Sequence, residues 1–401
     1  MRRLAPFCLV LLLPSAISAQ ATPDNRVTIG TIDSVWSGTL KESRKYWVYT
    51  PGSYNDSTYL PQKYPVLYLL DGDAHFHSVT GLLQFLGSGI NGVFLVPEMI
   101  VVAIPNTDRA RDLTPTHVEK GLDGKPAPFF KTTGGMPNFF QFIKNELIPK
   151  VEGSYRTAPY RILVGHSLGG IAAIDALYTI PETFNAYIAI DPSLWWDDRV
   201  LLKKAKDYFS KPGVANRALF VGQANTINAA DTSANMHFSS ILQFNSVLEN
   251  YNQSGLRYAY KYYPDDSHGS VPLMAEYDAL RFIFASYKSD LFQALERPEF
   301  IKEQYAKVSA ALGYTVQPPE SMMDILGHIE LSRDTTKAIA LFQMNADLYP
   351  NSPKVYDALG EGWQAKGDSK KATEYYEKSL ALKPSNQHAK DMIKKISEGK
   401  R

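Results

Sequence analysis

A serine set between two glycines is the first feature of the chain with the chemistry of a nucleophile. Residues 165–169 are Gly-His-Ser-Leu-Gly and match the pattern G-x-S-x-G. Residues 161–164 before them predict a short buried strand, and residues 171–178 after them predict a helix. In this strand–turn–helix context the pattern is typical of a nucleophile elbow. We therefore expect Ser167 to be a nucleophile and the backbone N–H of Leu168 to stabilise an oxyanion.

A serine nucleophile requires a base and a group that orients the base. His268 is the predicted base, because it lies in an Asp/Gly/Ser-rich loop between the last long strand pattern and a helix. Two acids are candidates: Asp191 directly follows a predicted strand, and Asp231 is the carboxylate nearest the end of the next one. Asn225 stands near the usual place of the acid, so a Ser–His dyad oriented by Asn225 or by a backbone carbonyl is an alternative.

Side chains suited to substrate binding follow other predicted strands at the same edge of the sheet. The loop after residues 64–70 offers the Asp73 N–H as a second oxyanion donor and His75 as a pocket wall. Arg109 suits an anionic group, although an ion pair within its own loop explains it equally well. Trp195 and Trp196 suit an acyl or aryl group.

Other histidines receive structural interpretations. His75 and His77 resemble a metal pair, but the sequence offers no third ligand in a recognisable spacing. His237 lies within a helical pattern and is interpreted as a surface or packing histidine. We therefore predict neither a metal nor a cofactor.

The elements that must position these residues alternate between strand and helix. Strand patterns at residues 64–70, 98–105, 186–190, 217–221 and 256–263 are separated by helical patterns. Such alternation predicts an α/β fold with a mostly parallel sheet flanked by helices. We place this domain at residues 22–300 and a linker at residues 301–318, where Gly313 and Pro318 interrupt the pattern.

Residues 319–401 carry helical patterns only and predict a small all-α domain. Within residues 353–384, Tyr356, Gly360, Ala372 and Tyr376 fit the tetratricopeptide spacing, and a weaker copy lies thirty-four residues earlier. The first helix of that copy is one residue out of register at Gly327. We favour a domain that stabilises its neighbour, with a groove for a protein partner as the alternative.

Charge and targeting signals narrow the class of protein. The net charge of +1 indicates neither nucleic acid nor an anionic membrane as a partner. Residues 1–21 combine Arg2 and Arg3, a short apolar run and an A-x-A site, which predicts the cleavable signal peptide of a bacterial periplasmic or secreted protein. Cys8, the only cysteine, lies inside it, so the processed chain would hold no disulfide. No later apolar run reaches transmembrane length.

Five motifs follow one another in order along the chain: LYLLDGDAHF (67–76), NTDRARDLTPT (106–116), VGHSLGG (164–170), DPSLWWD (191–197) and DDSHG (265–269). Together they resemble the esterase D-like family, which contains siderophore esterases, S-formylglutathione hydrolase and feruloyl esterases. The resemblance implies an α/β-hydrolase fold, with Ser167 as nucleophile, His268 as base, and the N–H groups of Leu168 and Asp73 as oxyanion donors. The sequence departs from the family pattern at the acid, where Asn225 stands.

The sequence thus predicts a secreted serine carboxylic-ester hydrolase that acts through an acyl-enzyme on a small ester, such as a siderophore, an acylated sugar or a feruloyl ester. An acyltransferase of the same fold, which passes the acyl group to a sugar, is one alternative. A repeat-mediated binding protein with a relict active site is the other.

Overall fold

The computed structural model describes residues 25–88, 94–121, 125–228, 230, 232–288 and 291–399. The predicted signal peptide and Asp231 lie outside these ranges. Within them, no helix combines the length and the apolar character needed to cross a membrane.

A single mixed sheet forms the centre of the described structure. Its strands are β1 (Thr31–Ser37), β2 (Glu42–Tyr49), β3 (Tyr64–Leu70), β4 (Ile100–Ile104), β5 (Thr157–His166), β6 (Ala186–Ile190), β7 (Ala218–Ala224) and β8 (Arg257–Tyr263). Their order in the sheet is β1-β2-β4-β3-β5-β6-β7-β8. β2 pairs antiparallel with both β1 and β4, whereas the strands from β3 to β8 are parallel.

Helices cover both faces of this sheet, as the alternating pattern predicts. They are α1 (Gly72–Gly87), α2 (Arg109–Asp112), α3 (Met136–Phe142), α4 (Ile148–Ser154), α5 (Leu168–Thr179), α6 (Trp196–Phe209), α7 (Thr232–Tyr251) and α8 (Val271–Ile283). A π-helical turn, Ile143–Leu147, joins α3 to α4. One apolar core lies under α3, α5, α6 and α7, and a second lies under α1 and α8.

The central strands fix the edge at which the functional residues meet. Every residue of β3, β4 and β6 is buried, which explains their unbroken apolar sequences. Because these strands are parallel, their carboxyl ends lie along one edge of the sheet. Asp71, Ser167, Asp191 and His268 all follow strand ends at that edge.

Helix α1 differs from the prediction, which has a loop after β3. Asp71 adopts a left-handed conformation (φ 51°, ψ 42°), and the helix begins at once at Gly72. A Cβ at Gly72 would lie 2.7 Å from the Ile104 nitrogen, so glycine is what allows the helix to begin this close to β4.

The predicted linker at residues 301–318 also differs from the structure, because most of it is helical. The remaining helices are α9 (Leu291–Glu296), α10 (Phe300–Leu312), α11 (Glu320–Leu331), α12 (Thr335–Leu348), α13 (Pro353–Ala365), α14 (Ser369–Leu382) and α15 (Gln387–Ser397). The buried residues of α10 recur at helical spacing and join the core under α1 and α8: Ile301, Tyr305, Val308 and Leu312. This buried stripe makes α10 part of the core.

The helices from α11 to α14 form two pairs with the same internal contact. A Cβ at Gly327 of α11 would lie 2.2 Å from the Phe342 ring of α12, and a Cβ at Gly360 of α13 would lie 2.6 Å from the Tyr376 ring of α14. In each pair the first helix therefore needs a glycine to admit the large ring of the second. The one-residue register difference at Gly327 leaves this contact intact.

Candidate active site

Ser167 occupies a strained turn between β5 and α5. Its φ of 61° and ψ of −115° lie outside the regions that non-glycine residues normally adopt. The Ser167 N–H donates to Ile190 O at 2.9 Å, and Ser167 O accepts from the Ser193 N–H at 3.1 Å. These bonds hold the turn against the end of β6. The geometry is that of a nucleophile elbow.

Glycines let the elbow close. A Cβ at Gly165 would lie 2.1 Å from Gly169 O, and a Cβ at Gly170 would lie 2.9 Å from the Pro192 Cα. Both contacts are with backbone atoms, which cannot move aside as a flexible side chain can. The sequence therefore requires glycine at both positions for strand, turn and helix to pack together.

The predicted base His268 is hydrogen-bonded to Asp191. His268 Nδ1 lies 2.6 Å from Asp191 Oδ2, and Asp191 Oδ1 accepts the Ala224 N–H at 2.9 Å. The His268 ring centroid is 4.5 Å from that of His166, the residue before Ser167. Of the two predicted acids, Asp191 thus contacts the base, whereas Asp231 lies outside the described residues.

The environment of Asp191 keeps its carboxyl group ionised. Burial raises the pKa of Asp191, but hydrogen bonds from His237 and His268 outweigh burial and hold the pKa well below its ordinary value. An ionised carboxylate only accepts hydrogen bonds, so His268 carries its proton on Nδ1. His268 Nε2 is then the atom able to accept a proton.

Asn225 does not orient the histidine ring, in contrast to the dyad hypothesis. Its backbone N–H donates to Asp266 O at 2.8 Å, and its side-chain amide donates to Pro264 O at 3.0 Å. Both acceptors belong to the loop that carries His268. Asn225 therefore anchors this loop through the backbone carbonyl groups of the loop.

The Ser167 hydroxyl is paired with a second serine, Ser193, which the sequence does not single out as a site residue. Ser167 Oγ lies 3.2 Å from Ser193 Oγ, and Ser193 is buried. Between the described Ser167 and His268 side chains no hydrogen bond is formed. A proton transfer from Ser167 to His268 would require the hydroxyl to turn away from Ser193, and catalytic hydrogen bonds often tighten in this way only when substrate binds.

Two helix N-termini supply the predicted oxyanion donors. Leu168 and Asp73 lie in the first turns of α5 and α1, where backbone N–H groups have no partner within the helix. The start of α1 lies against the elbow, since a Cβ at Gly169 would be 3.1 Å from Asp71 Oδ2. Both helix ends favour negative charge, which suits an oxyanion.

Arg109, a predicted substrate-binding residue, is instead engaged by Asp71. Its Nε and Nη2 donate to the two carboxylate oxygens at 2.6 and 2.9 Å, and Asn106 Nδ2 donates to Asp71 Oδ1 at 2.7 Å. Burial raises the pKa of Asp71, but Arg109 more than compensates and the pKa is lowered. Arg109 therefore fixes the segment that precedes Asp73, the predicted oxyanion donor, and its role in substrate binding stays a prediction.

His75 and His166 are uncharged at neutral pH. His75 and His166 form an edge-to-face ring contact with centroids 5.8 Å apart. Burial is the largest cause that lowers the pKa of both, to about 4 for His166. His75 is half-buried, which is compatible with the predicted pocket wall.

Trp195 and Trp196 differ in exposure. Trp196 is 2% exposed, lies in the core and donates from Nε1 to Thr116 Oγ1 at 3.2 Å. Trp195 is half-buried and, with residues that include Lys120 and Phe130, borders a cavity of about 490 Å³. Trp196 nevertheless borders the same cavity as Trp195, so its role in substrate binding stays a prediction.

His237 is a second contact of Asp191. It is buried, so its interpretation as a surface residue is wrong, and it makes a hydrogen bond in addition to packing. Its Nε2 lies 2.9 Å from Asp191 Oδ2, and the residue is 7% exposed. The sequence contains a signal for this burial. Ile241, Phe244 and Leu248 follow His237 at helical spacing, and all three are buried.

Asp191, His237 and His268 also offer three ligand atoms within 4.8 Å of one another. Two nitrogen or oxygen ligands of one tetrahedral zinc ion lie about 3.3 Å apart. The His–carboxylate separations of 2.6 and 2.9 Å are shorter, and they are hydrogen-bond lengths. The cluster therefore fits a hydrogen-bonded group better than a metal site.

The sheet order and the elbow define an α/β hydrolase, and comparison with known proteins gives its family. The family model described as "Putative esterase" matches residues 37–243, more than half of the chain. Ferri-bacillibactin esterase BesA of Bacillus subtilis is 30% identical over 55% of this chain and 79% of its own length. A siderophore enterobactin esterase of Emericella nidulans is 35% identical over 36% of this chain and 51% of its own.

A solved structure agrees with these sequence matches. The IroE-like serine hydrolase of Shewanella oneidensis superposes with a TM-score of 0.72 at 32% identity, over 80% of this chain and 99% of that chain. The chain belongs to this esterase family and is a carboxylic-ester hydrolase.

Proposed function

We propose that Ser167, His268 and Asp191 are the catalytic triad of this esterase. The observation that carries the proposal is the 2.6 Å hydrogen bond from His268 to the buried Asp191, beside a strained Ser167. His268 Nε2 takes the proton of the Ser167 hydroxyl as Oγ bonds to the ester carbonyl carbon. The N–H groups of Leu168 and Asp73 stabilise the oxyanion.

The departure of the leaving group and the hydrolysis of the acyl-enzyme use the same groups. His268 returns its proton to the leaving alkoxide, which departs and leaves an acyl group on Ser167 Oγ. A water molecule then gives its proton to His268 and its oxygen to the acyl carbon. Cleavage of the acyl–Oγ bond releases the acid, and His268 returns the proton to Ser167.

The proposed substrate is a siderophore ester. BesA and the Emericella nidulans relative are siderophore esterases by name, and the match to BesA spans most of that protein. The cavity beside Trp195 supports an aryl-bearing substrate, because Phe130 and Trp196 border it with two further rings.

Activity on one ester, followed in matched variants, tests the proposal. The wild type is expected to hydrolyse p-nitrophenyl butyrate and a ferric catecholate trilactone, and to be labelled by a fluorophosphonate. Ser167→Ala should lose turnover and label together. A folded wild type with neither signal would overturn the triad, and turnover of p-nitrophenyl butyrate without the trilactone would overturn the substrate class.

We propose that the helices from α11 to α15 are repeats that stabilise the hydrolase. Tyr59 donates to Asp324 Oδ2 and the Leu60 N–H donates to Glu320 Oε2, each at 3.0 Å. Glu320→Ala should therefore lower the melting temperature without changing kcat, whereas Glu374→Ala on the exposed face of α14 should change neither. Loss of kcat without loss of stability would contradict this role.

We also propose that the chain is exported. The support is the basic, apolar and A-x-A pattern of residues 1–21. Protein recovered from the periplasm or medium should begin at Thr22, as N-terminal sequencing would show. Recovery of the protein only from the cytoplasm, with Met1 in place, would contradict the export.

A further inference from the structure

A single oxygen of Asp191 serves two histidines. Asp191 Oδ2 lies 2.6 Å from His268 Nδ1 and 2.9 Å from His237 Nε2, while Oδ1 is used by the Ala224 N–H. The two rings are perpendicular, with centroids 5.2 Å apart. Because an ionised carboxylate only accepts, each ring donates one N–H to the same oxygen.

The position of His237 limits how it can act. It lies near the start of α7, is 7% exposed, and reaches the site through Asp191. The buried stripe that continues along α7 holds the helix against the core beside β7. An effect of His237 on the reaction is therefore transmitted through the carboxylate.

We propose that His237 is a positioning residue that anchors Asp191 and limits how strongly this carboxylate stabilises the protonated form of His268. The proposal rests on the triad proposed above. Two donors on one oxygen each reduce the negative charge that the other experiences. The second donor also keeps the carboxylate in place while His268 exchanges protons with Ser167 and the leaving group.

Removal of the His237 N–H donor should favour the protonated form of His268. Without His237, the Asp191 charge acts on His268 alone and favours its imidazolium form more strongly. His268 then remains protonated, and unable to act as base, up to a higher pH. The acid limb of the pH–rate profile should move to higher pH, and the plateau should fall because the carboxylate has lost an anchor.

The two titratable groups that face the pair from neighbouring strands do not change charge between about pH 5 and 9. His166, at the end of β5, faces His268, and burial lowers its pKa to about 4. Tyr260, on β8, faces Asp191, and burial raises its pKa to about 12. His75 contacts His166 rather than the pair, and burial lowers its pKa also. A shift of the acid limb that appears in a His237 variant and is absent from a control on the same helix is therefore assignable to the His268–Asp191–His237 group.

The test uses two substitutions at one position and a control on the same helix. His237→Gln keeps a neutral N–H donor close to the place of Nε2, whereas His237→Leu removes the donor and keeps an apolar side chain of moderate size. Ser240→Ala, one turn further along α7, removes a hydroxyl that bonds Arg199 and Met236 O. If the Leu variant does not fold, His237→Asn, whose amide is too short to reach Asp191, takes its place.

The rate of fluorophosphonate labelling against pH is the first measurement, with kcat/KM on p-nitrophenyl butyrate beside it. His237→Leu should move the acid limb up by about half to one pH unit and lower the plateau about tenfold. His237→Gln and Ser240→Ala should keep the wild-type limb. A wild-type limb in the Leu variant would overturn the proposal and reduce His237 to a packing residue.

A second measurement does not depend on catalysis. NMR of ring-labelled histidine follows the titration midpoint of His268 directly, and this midpoint should rise in His237→Leu and stay unchanged in His237→Gln. If the wild type is neither labelled nor active, the triad fails, yet the NMR midpoints still decide the coupling between His237 and His268. Equal midpoints in all variants would overturn the coupling even in an active enzyme.

Discussion

Asp191→Asn tests the central assignment, because it removes the charge that His268 contacts and leaves a side chain of the same shape. The donor–acceptor separation is 2.6 Å. At an effective dielectric constant of about 20, a unit charge pair at that separation is worth about 6 kcal/mol. Each ~1.4 kcal/mol is tenfold in rate, so the upper limit of the loss is about four powers of ten.

Two features adjust this value. The His268 side chain is 42% exposed, so solvent screens part of the interaction. The amide of the new asparagine, however, would present N–H groups to donors and disturb the His268 tautomer. We therefore expect kcat/KM of Asp191→Asn to fall by about three to four powers of ten, with the fold retained.

The assay is hydrolysis of p-nitrophenyl butyrate at the pH plateau, with thermal unfolding beside it to show that the variant is folded. Asp231→Asn is the matched control, since it removes the other carboxylate that the sequence offers, and it should stay within about threefold of the wild type. A folded Asp191→Asn enzyme that keeps a tenth of its activity, or a larger loss in Asp231→Asn, would refute the assignment.

Further substitutions test the elbow, the Arg109–Asp71 pair and an ion pair between the C-terminal helices. Gly165→Ala should prevent soluble expression, because its Cβ would lie 2.1 Å from a backbone oxygen, while Gly269→Ala, whose Cβ meets no atom within 4 Å, should keep the wild-type melting temperature. Arg109→Ala should lower the free energy of unfolding by about 1–3 kcal/mol, because it leaves a buried aspartate unpaired. It should also lower kcat more than it raises KM. A change in KM alone would instead indicate that Arg109 binds substrate. The hydrogen bond to Glu361 raises the pKa of His328. The contribution of this bond to stability is therefore complete below about pH 6.5 and is lost as the pH rises through the raised pKa. Thermal unfolding between about pH 6 and 8 should show this decline in the wild type and a flatter curve in His328→Gln.

The elbow and the central strands could be predicted because their signals are local. The G-x-S-x-G pattern and the apolar runs lie within a few residues of the structure that they specify. The partner of His268 stayed open between Asp191, Asp231 and a dyad oriented by Asn225 or a backbone carbonyl. Asp191 and His268 are 77 residues apart and meet only through the packing of whole strands. The Arg109–Asp71 pair was not predicted for the same reason, because its two residues are 38 positions apart.

Under the proposed triad, the departure at Asn225 is part of a consistent rearrangement rather than a missing acid. The residue after β6 supplies the charge, and its carboxylate reaches across to the Ala224 N–H of the neighbouring strand β7. The residue after β7 is then available to hold the histidine loop, which Asn225 does by donating its amide to Pro264 O. A carboxylate at position 225 could not make that bond, because it has no N–H to donate.

This arrangement predicts that the acid cannot simply be moved one strand along the sheet. The double variant Asp191→Asn/Asn225→Asp restores a carboxylate near the place that the family pattern leads one to expect. It should nevertheless stay within about tenfold of the Asp191→Asn activity, because the loop that carries His268 loses its amide anchor as the charge is regained. Asn225→Asp alone should lower activity for the same reason. Recovery of kcat/KM in the double variant to near the wild-type value would show that the two positions are interchangeable and that the loop does not need the side-chain amide at position 225.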